Sequence, residues 1–126
     1  MCHQTVSLVA RHLEANGIPT VVIGSALDVV ERCGVARFVF TDFPLGNPCG
    51  HPYAREMQKS IVAQALRLLE SATAPRTTER APFAWRDDPG WRARYGWFDP
   101  SDQERLRALR MDWRQKRMKP AGKSGA

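Results

Sequence analysis

The sequence predicts an α/β fold: a partial doubly wound (Rossmann-like) parallel sheet unit in the order α-β-α-β-α, with a basic helical C-terminal extension. Short β-branched and aromatic runs alternate with longer segments of helical periodicity. Charge divides the chain, since residues 1–74 hold six Lys/Arg and six Asp/Glu, whereas residues 75–126 hold thirteen and seven. We therefore expect an α/β body over residues 1–74. Residues 75–126 are expected to form a basic arm and helix that carry all four tryptophans.

The first helix and strand are predicted from a periodic segment followed by a β-branched run. From about residue 4, apolar side chains recur at helical spacing, namely Val6, Val9, Ala10 and Leu13. Asn16-Gly17 is a helix stop signal. The run IPTVVI, residues 18–23, predicts a buried strand that ends at Gly24.

The remaining body elements follow the same alternation. Ser25, with Asp28 three residues later, predicts the start of a short helix that ends at Gly34. Residues 37–41 are predicted to be the second strand. A long helix is then expected with Pro52 in its first turn. Its apolar face comprises Met57, Ile61, Ala65, Leu68 and Leu69.

Two parallel strands are too few for an independent sheet. The strand that should precede the first helix is also missing from this order. We therefore expect the chain either to pair with another polypeptide or to be the downstream piece of a longer one.

The loop after the second strand reads TDFPLGNPCGHP and holds three prolines and two glycines in twelve residues. Proline fixes backbone angles, while glycine and asparagine tolerate left-handed turns. The loop leaves the carboxyl end of a strand, where open α/β sheets place their ligands. We interpret it as a rigid wall of a substrate site, formed by Pro44, Gly46, Asn47 and Pro48. A zinc clip of Cys49 and His51 with Cys2 and His3 is the alternative, but the spacing is not that of zinc sites, and no metal is expected.

The composition of the chain limits where the protein is expected to be located and whether its cysteines are expected to be reduced. No apolar run reaches the roughly 18 residues of a membrane span, and no secretory signal is visible. Three scattered cysteines do not make a disulfide framework. We expect reduced thiols, a cytoplasmic location and no membrane partner.

Two segments in register resemble a known family. CHQTVSLVARHLEANGIPTVVI and CGVARFVFTDFPLGNPCG, followed by a long helix, are similar to the C-terminal part of selenoprotein B of the glycine, sarcosine, betaine and D-proline reductases. The resemblance covers roughly residues 1 to 73 and does not extend to the basic tail. It implies thiol- or selenol-based reductive cleavage of a C–N bond in a small amine or amino acid, with a dithiol/disulfide redox partner.

The resemblance also implies roles for particular residues. Cys2 matches the second position of the family's Sec-x-x-Cys motif, which makes it a redox or resolving thiol. Thr5 stands where the glycine reductase type has a further cysteine. Selenocysteine would then lie upstream of Met1, and the family's pyruvoyl group would belong to a partner subunit, so no cofactor is expected on this chain. Other reductase subunits or further copies of this chain are the expected partners.

Physical chemistry supports Cys2 as the reactive thiol. A helix N-terminus places unpaired N–H groups and the positive end of the macrodipole near the sulfur, which stabilises the thiolate. His3 is a secondary candidate, as a proton donor. Cys33 is expected to be structural.

Two other classes of function stay open at this point. The chain could be a non-catalytic α/β partner subunit. It could also be a basic nucleic-acid-binding module, because a basic helix is predicted around Leu106, Leu109 and Trp113. No recognition motif accompanies that charge, so nucleic acid is not the expected partner.

Overall fold

The computed structural model describes residues 1–86, 90–95, 104–105, 107–108 and 111. Its elements are α1 (Cys2–Ala15), β1 (Val22–Gly24), α2 (Leu27–Cys33), β2 (Arg37–Phe40), α3 (Arg55–Ser71), β3 (Thr77–Arg80) and α4 (Trp91–Tyr95). The strands form one parallel sheet in the order β1-β2-β3. This confirms the predicted partial α/β unit. The chain forms two compact units, residues 1–89 and 90–126.

The third strand, β3, was not predicted. Its sequence, TTER, is polar, and it lies where an extended arm was expected. Thr77 pairs with Arg37, and the register continues to Arg80 opposite Phe40. Gln64 of α3 donates hydrogen bonds to the Glu79 carboxylate and to the Arg80 carbonyl. Backbone pairing and these contacts, rather than apolar side chains, therefore define β3.

The two layers of helices pack on opposite faces of the sheet. Adjacent strand residues point to opposite sides, so Phe38 and Phe40 face one cluster and Val39 faces the other. The first cluster includes Ala10 of α1 and Val30 of α2. The second is built on α3 and comprises Val39, Phe43, Ile61, Ala65, Leu68 and Ala81. This arrangement is doubly wound and matches the predicted face of α3.

The orientation of α1 differs from the prediction. Ser7 and Ala10 are its buried residues, whereas Val6 and Val9 are 43% and 52% exposed. The helix turns its small residues toward the sheet, and Ser7 Oγ donates a 2.6 Å hydrogen bond to the His3 carbonyl. Val6 and Val9 of the predicted apolar pattern therefore lie on the outer side of α1, whereas Ala10 faces the sheet and Leu13 is half-buried.

Several helix boundaries also differ between the sequence prediction and the structure. Helix α1 starts at Cys2 rather than near residue 4. Ser25 does not cap α2, whose N-cap is Ala26. Pro52 precedes α3, whose N-cap is Ala54, because Tyr53 has a left-handed φ of 64° that interrupts the helix.

Strand β1 is shorter than the predicted run of residues 18–23. The Thr20 amide donates to the Glu14 carboxylate at 2.6 Å instead of to a neighbouring strand. Pro19 has no N–H to donate. Pairing with β2 therefore begins at Val22.

The second unit is described only in part. Helix α4 is five residues long, and residues 104, 105, 107, 108 and 111 are helical. The predicted helix positions Leu106, Leu109 and Trp113 lie outside the described residues.

Candidate functional site at the carboxyl edge of the sheet

The start of α1 lies at the carboxyl end of β1. The amide N–H of Ser25, the first residue after β1, donates a 3.0 Å hydrogen bond to Nε2 of His3. A side chain from the first turn of α1 thus caps the end of the neighbouring strand. The contact places Cys2, the adjacent residue, at this edge of the sheet.

Gly24 makes that contact sterically possible. A Cβ at residue 24 would stand 2.9 Å from His3 Cδ2 and 3.3 Å from Phe38 Cε2. Real Cβ atoms do not approach side chains that closely, so a larger residue would push the imidazole away. The glycine at the end of β1 therefore admits the His3 ring.

Cys2 is the first residue of α1 and is exposed. The Thr5 amide donates to the Met1 carbonyl at 3.0 Å, which closes the first helical turn around Cys2. Thr5 Oγ1 donates to the same carbonyl at 3.2 Å. The position offers a thiol that reagents can reach, with the helix N-terminus behind it.

The loop after β2 is attached to the same edge through Thr41. This fully buried residue donates its hydroxyl to the Pro48 carbonyl at 2.7 Å, and its amide to the Gly24 carbonyl at 2.9 Å. A series of contacts therefore runs from His3 through Ser25, Gly24 and Thr41 to Pro48. Cys2, His3 and the proline loop are brought to one edge of the sheet.

The four predicted wall residues have different environments within the loop. Pro44 is buried and its carbonyl accepts the Asn47 amide at 3.1 Å, which closes a turn. Gly46, within that turn, has a φ of 93°, a conformation that L side chains rarely adopt. Asn47 and Pro48 are half-buried. The turn exposes Gly46 and Leu45.

His51, another candidate residue of the loop, packs in an aromatic cluster. The His51 ring stacks on Trp85 at a centroid distance of 3.8 Å, and Nε2 donates to the Trp85 carbonyl. Phe43 contacts the same indole at 5.5 Å between ring centroids. Cys49 is half-buried. No group of three or more His, Cys, Asp or Glu that could hold a metal ion occurs among the residues that the structure describes.

Cys33 and His12 lie away from this edge. Cys33 ends α2, is half-buried, and its carbonyl accepts a 3.1 Å hydrogen bond from Arg11. His12 is exposed near the end of α1. Among the described residues, no hydrogen bond joins Cys33 or His12 to Cys2.

Three residues that organise the edge had no predicted role in the site: Gly24, Ser25 and Thr41. Ser25 was interpreted as a helix cap, and Gly24 only as a strand boundary. Their actual contacts involve a residue more than twenty positions away, which local patterns do not reveal. The position of Thr41 directly after a strand, next to a proline-rich loop, was the one available signal.

A charged pair also lies after these strands. Arg80 at the end of β3 binds the Asp42 carboxylate, and its guanidinium lies 5.2 Å from the Phe40 ring centroid. This ion pair links the loop after β2 to β3. The loop is therefore attached to the sheet by this ion pair as well as by the hydrogen bonds of Thr41.

The fold and this edge define a class: a partial parallel α/β unit with an exposed thiol at a helix start and a proline-containing loop at the same edge of its sheet. The described residues contain no helix that is long and apolar enough to cross a membrane. No family model matches the chain. No solved structure matches it either.

One relative connects the chain to a known enzyme system. The chain is 38% identical over 68 residues to D-proline reductase subunit gamma of Acetoanaerobium sticklandii. The match covers 54% of this chain and 28% of that subunit, so the chain spans well under half of its relative's length. The resemblance to the proline and glycine reductase family is thereby confirmed.

Proposed function

We propose that this chain is a selenoprotein B-like reductase subunit, or part of one, that takes part in reductive C–N bond cleavage in a small amine or amino acid. The observation that carries the proposal is the 38% identity to D-proline reductase subunit gamma. The exposed thiol at the start of α1 supports it, because this is the position that the family resemblance assigns to a redox cysteine.

Cys2 is the residue that we propose for the chemistry on this chain. In the proposed reaction, the principal nucleophile first attacks the substrate carbon, and the C–N bond breaks as the amine leaves with the electron pair and takes a proton. The Cys2 thiolate then attacks the chalcogen atom (selenium or sulfur) of the resulting adduct. A bond from Sγ to that chalcogen forms, the chalcogen–carbon bond breaks, and the carbon leaves with the electron pair and takes a proton. An external dithiol then supplies two electrons and two protons, restores both groups and becomes a disulfide.

His3 and the loop have supporting roles in this proposal. The His3 ring lies beside the thiol-bearing turn and is proposed to supply a proton at this edge. Gly46, Asn47 and Pro48 form the wall against which the small substrate rests, and the buried Pro44 holds the turn behind it. Rigidity suits that role, because catalytic groups must be held within a fraction of an ångström of the productive geometry.

The remaining groups of the reaction are proposed to lie elsewhere. A selenocysteine three residues ahead of Cys2 would supply the principal nucleophile, and a pyruvoyl group on a partner subunit would supply a carbonyl that activates the amine. We assign neither the principal nucleophile nor the activating carbonyl to any of the described residues. The nucleotide sequence upstream tests the first part: an in-frame UGA or cysteine codon is expected three codons before Cys2, and any other codon contradicts it.

A chimera tests the proposed function directly. Residues 1–86, which contain all three strands, replace the corresponding part of the Acetoanaerobium sticklandii subunit. The chimera is assembled with the rest of that reductase, and dithiol-dependent consumption of D-proline is measured. We expect activity with Cys2 present and a loss of at least about a hundredfold in Cys2→Ser, because the hydroxyl is a far weaker nucleophile than the thiolate.

Matched variants control for disturbed assembly. Cys33→Ser and Cys49→Ser change the same chemical group elsewhere and should retain most of the activity. An assembled chimera that is inactive, or a Cys2→Ser chimera as active as the parent, contradicts the proposed reductase role. A non-catalytic partner subunit then becomes the better interpretation.

A further inference from the structure

A side-chain hydrogen bond joins the first turn of α1 to the end of β1: the amide of Ser25 donates to Nε2 of His3. A backbone N–H can only donate, so Nε2 must carry a lone pair. The ring proton of the neutral imidazole is therefore on Nδ1. His51 has the opposite arrangement, because its Nε2 faces the Trp85 carbonyl and must donate.

The contact is built from both sides. Gly24 leaves the space that the ring fills, since a Cβ there would stand 2.9 Å from His3 Cδ2. On the helix side, the fully buried Ser7 binds the His3 carbonyl at 2.6 Å and holds the same turn. The amides in the first turn of a helix lack the hydrogen bonds of the helix interior, so other contacts must hold that turn. Cys2 lies in the turn that these contacts immobilise.

We propose that His3 is a positioning residue: its Nδ1–H tautomer, seated over Gly24 and bonded to the Ser25 amide, holds the first turn of α1 and thereby keeps Cys2 at the carboxyl edge of the sheet. We call His3, Gly24 and the Ser25 amide the latch. The latch is a property of the fold, and only its purpose, to position Cys2 for reaction, rests on the proposed function.

The tautomer is measured by long-range ¹H–¹⁵N correlation of the histidine rings in the full chain, at about pH 8.5, where histidine is neutral. We expect His3 as the Nδ1–H form and His51 as the Nε2–H form, within the same spectrum. His12, which is exposed and whose ring makes no hydrogen bond or ring stack among the described residues, serves as the reference. An Nε2–H form at His3 overturns the proposal.

Two substitutions at residue 3 distinguish the effect of the hydrogen-bond acceptor from the effect of the side chain's volume. In His3→Gln the amide oxygen can replace Nε2 as acceptor, whereas His3→Leu fills similar space without one. Amide hydrogen exchange at Ser25 should become about three- to tenfold faster in His3→Leu, as expected for loss of one hydrogen bond, and less so in His3→Gln. Equal exchange in wild type and His3→Leu contradicts the latch.

Gly24→Ala tests the steric half of the latch. The added methyl group should displace the ring, so the His3 signals should lose the Nδ1–H pattern while the His51 signals keep theirs. Unchanged His51 signals show that the chain has folded. A His3 ring that keeps its tautomer in Gly24→Ala contradicts the steric role of Gly24.

The effect on Cys2 is read from the rate of alkylation, with Cys33 and Cys49 as internal references. We expect His3→Leu to change the rate of alkylation of Cys2 two- to fivefold, because an opened first turn alters the surroundings of the thiol, and His3→Gln to recover the rate. If the exchange and tautomer results are as expected but Cys2 is unreactive, the latch stands and the proposed function is contradicted. If Cys2 is reactive but the exchange and tautomer results differ from those expected, only the latch is contradicted.

Discussion

At the scale of single residues, the three thiols of this chain differ in what surrounds them. Cys2 is exposed and begins a fourteen-residue helix, whereas Cys33 and Cys49 are half-buried at a helix end and in a loop. A reagent in solution therefore has easier access to Cys2 than to the other two thiols.

We therefore predict that Cys2 is the most reactive thiol of the folded chain. Iodoacetamide labelling between about pH 5 and pH 9, followed by peptide mass spectrometry, should show Cys2 modified first at every pH. The unfolded chain in urea is the control, since the three rates should approach one another there. Faster labelling of Cys33 or Cys49 below pH 7 contradicts the assignment.

At the scale of elements, the end of α1 is fixed to the strands by Glu14. Its carboxylate accepts the Thr20 amide at 2.6 Å and Arg37 Nη1 at 2.7 Å. The Thr20 hydrogen bond is the main reason why the pKa of Glu14 lies below its usual value of 4.5, with Arg37 adding to it. Both partners are less than one-third exposed. This pair is therefore more than a solvated surface contact.

Glu14→Gln should lower the free energy of unfolding by about 1 kcal/mol at pH 7, because the charge-assisted bonds become neutral ones. A depressed folded pKa stabilises the fold above the unfolded value, and this stability is lost as pH falls through the folded pKa. The difference between variant and wild type should therefore be full at pH 6 to 7 and shrink below about pH 4.5.

Urea unfolding measured across this pH range tests the Glu14 prediction. Glu56→Gln is the matched control, because Glu56 forms an exposed 3.4 Å pair with Lys59 and should change stability by less than about 0.5 kcal/mol. A difference for Glu14→Gln that grows toward low pH would have the wrong sign.

The proline loop depends on one buried hydroxyl. Thr41→Val keeps the shape of the side chain and removes the donor to the Pro48 carbonyl. We predict a loss of about 1 to 2 kcal/mol in the free energy of unfolding. Thr77→Val removes the donor of an exposed 2.7 Å bond to the Ala74 carbonyl and should cost less. Equal effects in urea titrations would show that burial of Thr41 is unimportant.

The predictable parts of this fold were those that apolar patterns encode. The stripe of Ile61, Ala65 and Leu68 was placed correctly, because these residues form the buried face of α3. Strand β3 could not be found this way, since it joins the sheet through backbone pairing. The same holds at the candidate site. Cys2 and the proline loop stood out locally, but the His3–Ser25 contact joins residues that are distant in sequence.

At the scale of the whole molecule, the sheet remains small. Its three strands are three or four residues long, and β1 and β3 are its outer strands. On α1, the exposed stripe of Val6 and Val9 continues from Cys2 at helical spacing. Contiguous exposed apolar surface is typical of contact sites between proteins. A partner that bound this stripe would also lie close to Cys2.

The full chain should consequently not persist as a monodisperse monomer. Light scattering after size-exclusion chromatography is expected to give the mass of a dimer or a larger assembly, because burying the α1 stripe is favourable by roughly 25 cal/mol per Å² of apolar surface. Val9→Lys places a charge in the centre of the stripe and should shift the mass toward the monomer. Gln4→Lys, exposed on the same helix, is the charge-matched control and should leave the mass unchanged. A wild-type chain that stays monomeric at high concentration would show that these strands and helices are stable alone, with the α1 stripe open to solvent.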